Sequence, residues 1–249
     1  MSTHNNPLSA RNSPLLCYVT DRPALRIANP ADSLAALIQK IEEVVAAGID
    51  WVQIREKDLP ARELASLTRQ ALGIAVKYSA TRTAPVRVLV NDRLDVAIAE
   101  QVGGVHLGET SLPVAEAKRL VESALRKHAI DQSLLIGASC HSIEAAKSAE
   151  RDGADYIFFG PTFATPSKER FGPPQGVERL AQICHAINVP VLAIGGITLE
   201  NANSCIAAGA TGIAAIRLFQ NATDPAGSMR PLHRMVSYRR QLPADPPVD

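Results

Sequence analysis

Eight short apolar runs, each followed by a longer amphipathic stretch, repeat along most of the chain, and this rhythm constrains the fold more than any other feature. The runs are Leu15 to Asp21, Trp51 to Lys57, Arg87 to Asn91, Val105 to Gly108, Leu134 to Cys140, Tyr156 to Gly160, Val191 to Ile194 and Ile213 to Leu218. Helical periodicity fills the intervals and ends at residues that cannot easily continue a helix. A stretch over 32–47 stops at Gly48, one over 143–152 at Gly153, and one over 199–208 at Gly209. Pro60 and Pro113 open two more helices; others begin near Leu94 and cover 177–187 and 227–242. Strand and helix in strict alternation specify parallel pairing. Eight repeats in 249 residues match a single-domain α/β (βα)8 TIM barrel. An open doubly wound sheet would usually need fewer strands, and no G-x-G-x-x-G turn follows any of them. The expected barrel spans residues 14–242, between a flexible lead-in (1–13) and a proline-rich tail (243–249).

Within this frame the second strand is unusual. Alternate strand residues share a face, so Val52 and Ile54 point to the covering helices, whereas Gln53, Arg55 and Lys57 point inward. Two cations and an amide near the C-terminal end of a barrel strand describe an anion site, and barrel enzymes bind substrate at that end. Other polar residues gather there too: Asn91 and Asp92 after the third strand, Ser139 and His141 after the fifth, and Thr165, Ser167 and Lys168 in the long 161–176 loop. The N-terminal ends are expected to show no such concentration. Gly195-Gly196 after the seventh strand, with Ile216-Arg217 near the end of the eighth, stand where barrels commonly hold phosphate. Asp92 suits a hard cation such as Mg²⁺, and equally suits an N-cap role. His141 suits acid–base chemistry or helix capping alike. His106, between Val105 and Leu107, reads as a packed strand residue.

A formal net charge of +1 offers no electrostatic basis for nucleic-acid or membrane binding, leaving small molecules as the expected partners. The four cysteines are too scattered for a metal site or redox pair. No apolar run approaches membrane-spanning length and the first residues lack a signal-peptide core, so a cytoplasmic location is expected.

Several motifs, in order, resemble the thiamine phosphate synthases and their relatives, the thiazole tautomerases. These are Gln53-Ile54-Arg55-Glu56-Lys57, Asn91-Asp92-Arg93, Val105-His106-Leu107-Gly108, Gly160-Pro161-Thr162-Phe163 with Thr165-Pro166-Ser167-Lys168, and Ile194-Gly195-Gly196-Ile197-Thr198. The resemblance implies an Mg²⁺-dependent transferase in thiamine biosynthesis that joins a hydroxymethylpyrimidine diphosphate to a thiazole phosphate, leaving open whether the thiazole is carboxylated and whether the chain self-associates. It implies that Gln53, Arg55, Lys57, Asn91 and Lys168 hold the pyrimidine diphosphate. Thr165, Ser167, Gly196 and the Ile216-Arg217 pair would hold the thiazole phosphate, and Ser139 would make a further substrate contact. Two positions depart from the pattern. Ser111 stands where the family usually has a second acidic Mg²⁺ ligand, with Glu109 two residues earlier as a substitute, and Arg217 stands where it usually has serine. The alternatives are a thiazole tautomerase with His141 as acid or base, and a non-catalytic binder of thiazole or thiamine phosphate.

Overall fold

A computed structural model describes residues 13–165 and 173–235. Eight parallel strands close into a barrel in sequence order. They are β1 (Leu15–Val19), β2 (Trp51–Ile54), β3 (Arg87–Asn91), β4 (Gly104–Leu107), β5 (Leu135–Cys140), β6 (Tyr156–Phe159), β7 (Val191–Ile194) and β8 (Gly212–Ala215). The helices between and after them are α1 (Ser33–Ala46), α2 (Ala61–Ser79), α3 (Leu94–Ala99), α4 (Val114–Arg126), α5 (Ile143–Arg151), α6 (Gly176–Ala186), α7 (Ala202–Ala207), α8 (Arg217–Gln220) and α9 (Pro225–Arg234). The expected lead-in, apart from Ser13, and the expected tail lie outside the described residues.

Strand alternation splits the apolar core in two. Leu16, Tyr18, Val52, Ile54, Val88, Val90, Val105 and Leu107 belong to the layer between strands and helices. Leu15, Cys17, Val19, Trp51, Leu89, Tyr156, Phe158, Leu192 and Ala214 fill the barrel interior. Both sets follow from period-two alternation in strands covered on both faces. The interior accommodates large rings by placing nothing opposite them: a methyl group on Gly137 would overlap the Tyr156 ring. That ring in turn packs edge-on against Trp51, with centroids 4.9 Å apart.

The N-terminal rim carries more polar residues than expected, committed to backbone ties. Asp50 Oδ2 accepts from Leu16 N at 2.9 Å, and Asp155 Oδ2 accepts from Ile136 N at 2.7 Å. Arg82 and Lys118 neutralise these two carboxylates. Each aspartate directly precedes a strand, so its side chain bonds the strand beside it where the ladder begins.

The largest difference from expectation is at the end of the barrel. β8 stops at Ala215, and Ile216, with φ −92° and ψ −74°, turns the chain into the short helix α8. Leu218 and Phe219 therefore owe their apolar character to helix packing: Phe219 is buried and meets Tyr18 edge-on at 6.5 Å. Strand β2 is also shorter than expected, placing Arg55 and Lys57 in the loop beyond it. The final helix begins at Pro225, and the part expected beyond Met235 lies outside the described residues.

Candidate active site

Two hollows open at the C-terminal end of the barrel, and several of the expected site residues line them. One, of about 270 Å³, is lined by Glu56, Lys57, Leu59, Leu64, Asn91, Asp92 and Arg93. The other, of about 260 Å³, lies between the loops after β6, β7 and β8, with Thr165, Gly195, Gly196, Ile216 and Arg217 in its wall, together with Asp21.

In the first hollow, polar groups are ordered by a chain of hydrogen bonds whose direction is set by a carboxylate. Asn91 Nδ2 donates to Asp92 Oδ2 at 2.6 Å, leaving Asn91 Oδ1 to accept from Gln53 Nε2 at 2.9 Å. Gln53 Oε1 is thereby the remaining acceptor; it is buried and has no partner among the described residues. An unmade hydrogen bond at a buried acceptor costs about 1–3 kcal/mol, which a donor on a ligand would offset. Asp92 adopts a left-handed conformation, φ +62°, rare for a residue other than glycine and concentrated at functional sites. This turn aims Oδ1 at Gly108 N, 3.1 Å away, and at the Ser111 hydroxyl, which donates to it. The N-cap of α3 is Arg93, without a side-chain cap, so Asp92 does not take the capping role.

Arg55 is partly exposed and Lys57 exposed. Neither side chain has a hydrogen bond or ion pair to another described residue, so both cations remain available to a ligand. Glu56, between them, is 4% exposed and is held by Thr20 Oγ1 at 2.6 Å and Arg22 N at 3.1 Å. Burial pushes its carboxyl above the ordinary value, opposed by these hydrogen bonds.

Ser139 lies deeper, and its hydroxyl meets His106 Nε2 at 2.9 Å. His106 Nδ1 meets the Tyr156 hydroxyl at 3.2 Å, and its ring stacks near Phe158 at 4.2 Å. His106 is thus buried as expected, but its contact with Ser139 was missed; its alternation with Val105 and Leu107 was the signal that it faces inward.

His141 is not a helix cap either, since Ser142 fills that position and accepts from Ala145 N. Its Nδ1 contacts the Gly160 carbonyl oxygen, and its Nε2 lies 4.0 Å from Glu109 Oε1. Glu109 is therefore directed to His141, and the structure does not pair it with Asp92 as a substitute metal ligand. Among the described residues no group of three or more His, Cys, Asp or Glu side chains could hold a metal ion.

In the second hollow, Gly195 and Gly196 have φ of +97° and +67°, and a Cβ on Gly196 would stand 2.6 Å from the Ala164 carbonyl oxygen. Glycine is required by both conformation and close packing. Arg217 is exposed and lines the hollow from α8, not from a strand. Ser167 and Lys168 lie outside the described residues.

The family model of thiamine monophosphate synthase matches residues 24–219, which takes in every described part of both hollows except Asp21. The chain belongs to this family. Within the family, thiamine-phosphate synthase of Roseiflexus castenholzii is 36% identical over 239 residues, 96% of this chain and 95% of that one. Its counterpart in Methanoculleus marisnigri is 42% identical over 192 residues, covering 77% and 84%. Thiamine phosphate pyrophosphorylase from Pyrococcus furiosus superposes with a TM-score of 0.73 at 30% identity, covering 90% of this chain and 96% of that one.

Proposed function

We propose that the chain is a thiamine phosphate synthase, a transferase that couples 4-amino-2-methyl-5-hydroxymethylpyrimidine diphosphate to 4-methyl-5-hydroxyethylthiazole phosphate with release of diphosphate. The observation that carries the reading is the pairing of two hollows on one barrel end. One presents Lys57, Asn91 and Asp92, with Arg55 two residues before Lys57 on the same loop, and the other the Gly195-Gly196 turn and Arg217. A diphosphate and a monophosphate bound in two hollows on the same barrel end would bring the pyrimidine methylene and the thiazole nitrogen together, which lowers the entropic part of the barrier.

Each group has a definite task. Arg55 and Lys57, joined by Lys168 through the family resemblance, oppose the negative charge that grows on the departing diphosphate. The unpartnered Gln53 Oε1 accepts from the 4-amino group of the pyrimidine, with Asn91 holding the amide in that orientation. Ser139, held by His106, donates toward the pyrimidine substrate. Thr165, Ser167, Gly195, Gly196, Ile216 and Arg217 retain the thiazole phosphate, Arg217 adding a planar cation suited to an oxyanion.

The donor set at Asp92 fits Mg²⁺ in part: a carboxylate and the Ser111 hydroxyl are hard oxygen ligands, but one carboxylate makes an incomplete cage. Asp92 and Ser111 would hold the ion with diphosphate oxygens supplying the remaining ligands. Bound there, Mg²⁺ neutralises charge on the leaving group. A cytoplasmic location accompanies the reading, since its substrates are phosphorylated small molecules.

The test is incubation of purified protein with both substrates and Mg²⁺, following diphosphate and thiamine phosphate. Equal appearance of the two is expected. Isomerisation of the thiazole without coupling would overturn the proposal in favour of a tautomerase.

A further inference from the structure

Glu56 sits inside the most charged motif of the chain and lines the first hollow, yet its carboxylate is bonded to the loop after β1. Its carboxylate accepts from Thr20 Oγ1 at 2.6 Å, and Arg22 N lies 3.1 Å from each of its two oxygens. The guanidinium of Arg22 approaches at 3.8 Å and continues to Asp58 in the same loop as Lys57. Thr20 closes the circuit: its hydroxyl oxygen, while donating to Glu56, accepts from Arg55 N at 2.9 Å. Its own N–H bonds Gln53 O at 3.0 Å.

β2 ends at Ile54, so neither Arg55 nor Lys57 is held by the regular ladder. This circuit holds the backbone N–H of Arg55, and the Arg22–Asp58 ion pair ties the residue that follows Lys57. A buried carboxylate satisfied by several donors is a stiff anchor, and stiffness matters where two cations must meet a ligand in one geometry.

We propose that Glu56 is the positioning residue for the diphosphate-binding cations: Thr20 and the Arg22 N–H anchor its carboxylate, Thr20 passes the restraint to the Arg55 backbone, and Lys57 follows directly from the anchored residue. This rests on the reading that those two cations bind diphosphate. The role predicts a selective defect. Loss of the anchor weakens diphosphate binding more than thiazole phosphate binding, since the second hollow rests on the loops after β6, β7 and β8 and shares only Asp21 with the loop that Glu56 anchors.

The experiment is calorimetric titration of the full chain with Mg²⁺ and inorganic diphosphate, and separately with thiazole phosphate, for Glu56→Gln, Glu56→Ala, Arg55→Ala and Asp50→Asn. Side chains that orient metal ligands from behind are worth about 10- to 100-fold, and a loss of the same order is expected for one that orients anion-binding cations. Glu56→Ala is expected to lose diphosphate affinity in that range, Glu56→Gln to lose less because it keeps the shape and one acceptor, and thiazole phosphate affinity to fall much less in both. Asp50→Asn loosens a comparable carboxylate-to-backbone tie at the opposite rim and should lower stability without weakening diphosphate binding. If Arg55→Ala leaves diphosphate affinity intact, the underlying reading fails. If Arg55→Ala weakens it and Glu56→Gln and a folded Glu56→Ala do not, the positioning role fails. Equal losses for both ligands in the Glu56 variants, or a diphosphate loss in Asp50→Asn, would reduce the effect to general softening and also overturn the proposal. Should Glu56→Ala not fold, the Glu56→Gln comparison decides alone.

Discussion

Ser111 donates a hydrogen bond to Asp92 Oδ1, and both oxygens lie within reach of the single N–H of Gly108. A hydroxyl thus stands beside the Asp92 carboxylate and offers an oxygen ligand without adding charge.

That adjacency makes Ser111→Asp a test of the metal site. Hard-cation affinity depends on ligand charge, so free-enzyme Mg²⁺ binding should be weak and strongly coupled to diphosphate. The substitution should lower the Mg²⁺ concentration giving half-maximal diphosphate release. A titration curve that coincides with the parent's, or moves to higher Mg²⁺, would remove Ser111 from the metal site.

Arg55→Ala and Lys57→Ala should weaken pyrimidine diphosphate binding while leaving thermal stability nearly unchanged, because neither side chain bonds another described residue. Each removes a charge-assisted contact of about 1.5–3 kcal/mol, equivalent to roughly 10- to 150-fold in affinity. Unaltered calorimetric affinity in both variants would rule out the first hollow as the diphosphate site.

His141 distinguishes the two enzymatic readings. The Gly160 carbonyl can only accept, so neutral His141 carries its hydrogen on Nδ1, and Nε2 is the basic nitrogen on the Glu109 side. A proton shuttle contributes roughly 10²- to 10⁴-fold, so a tautomerase would lose at least that much in His141→Ala. We expect coupling to survive the substitution with a smaller loss, measured as the steady-state rate of diphosphate release. A collapse of the rate at unchanged substrate affinity would instead put His141 in the chemical step.

Gly137→Ala should destabilise the barrel, since the added methyl would overlap the Tyr156 ring and the ring is enclosed by Trp51, His106 and Phe158. Overpacking of this kind costs about 1–3 kcal/mol. Chemical denaturation should show a lower midpoint at unchanged slope, and an unshifted midpoint would contradict the packing described.

The eight-fold alternation determined the barrel, because parallel strands joined by helices leave few other arrangements, and the period of two in the second strand determined that Val52 and Ile54 face the helices. Residue types at strand ends also put Asn91, Asp92, Ser139 and the Gly195-Gly196 turn on one rim as candidate site residues, since position along a barrel strand fixes the rim on which a residue emerges. Tertiary structure decided the partners. Thr20 and Glu56 are 36 positions apart, and His106 and Ser139 33 apart, so their contacts exist only once the barrel closes and sets the register between neighbouring strands. Closure likewise turned Arg217 from an expected strand residue into the first residue of a short helix. It also committed Glu109 to His141, because loops after different strands meet only above the finished ring. Periodicity reports which face a side chain occupies; which group it meets there depends on long-range geometry that no local pattern encodes.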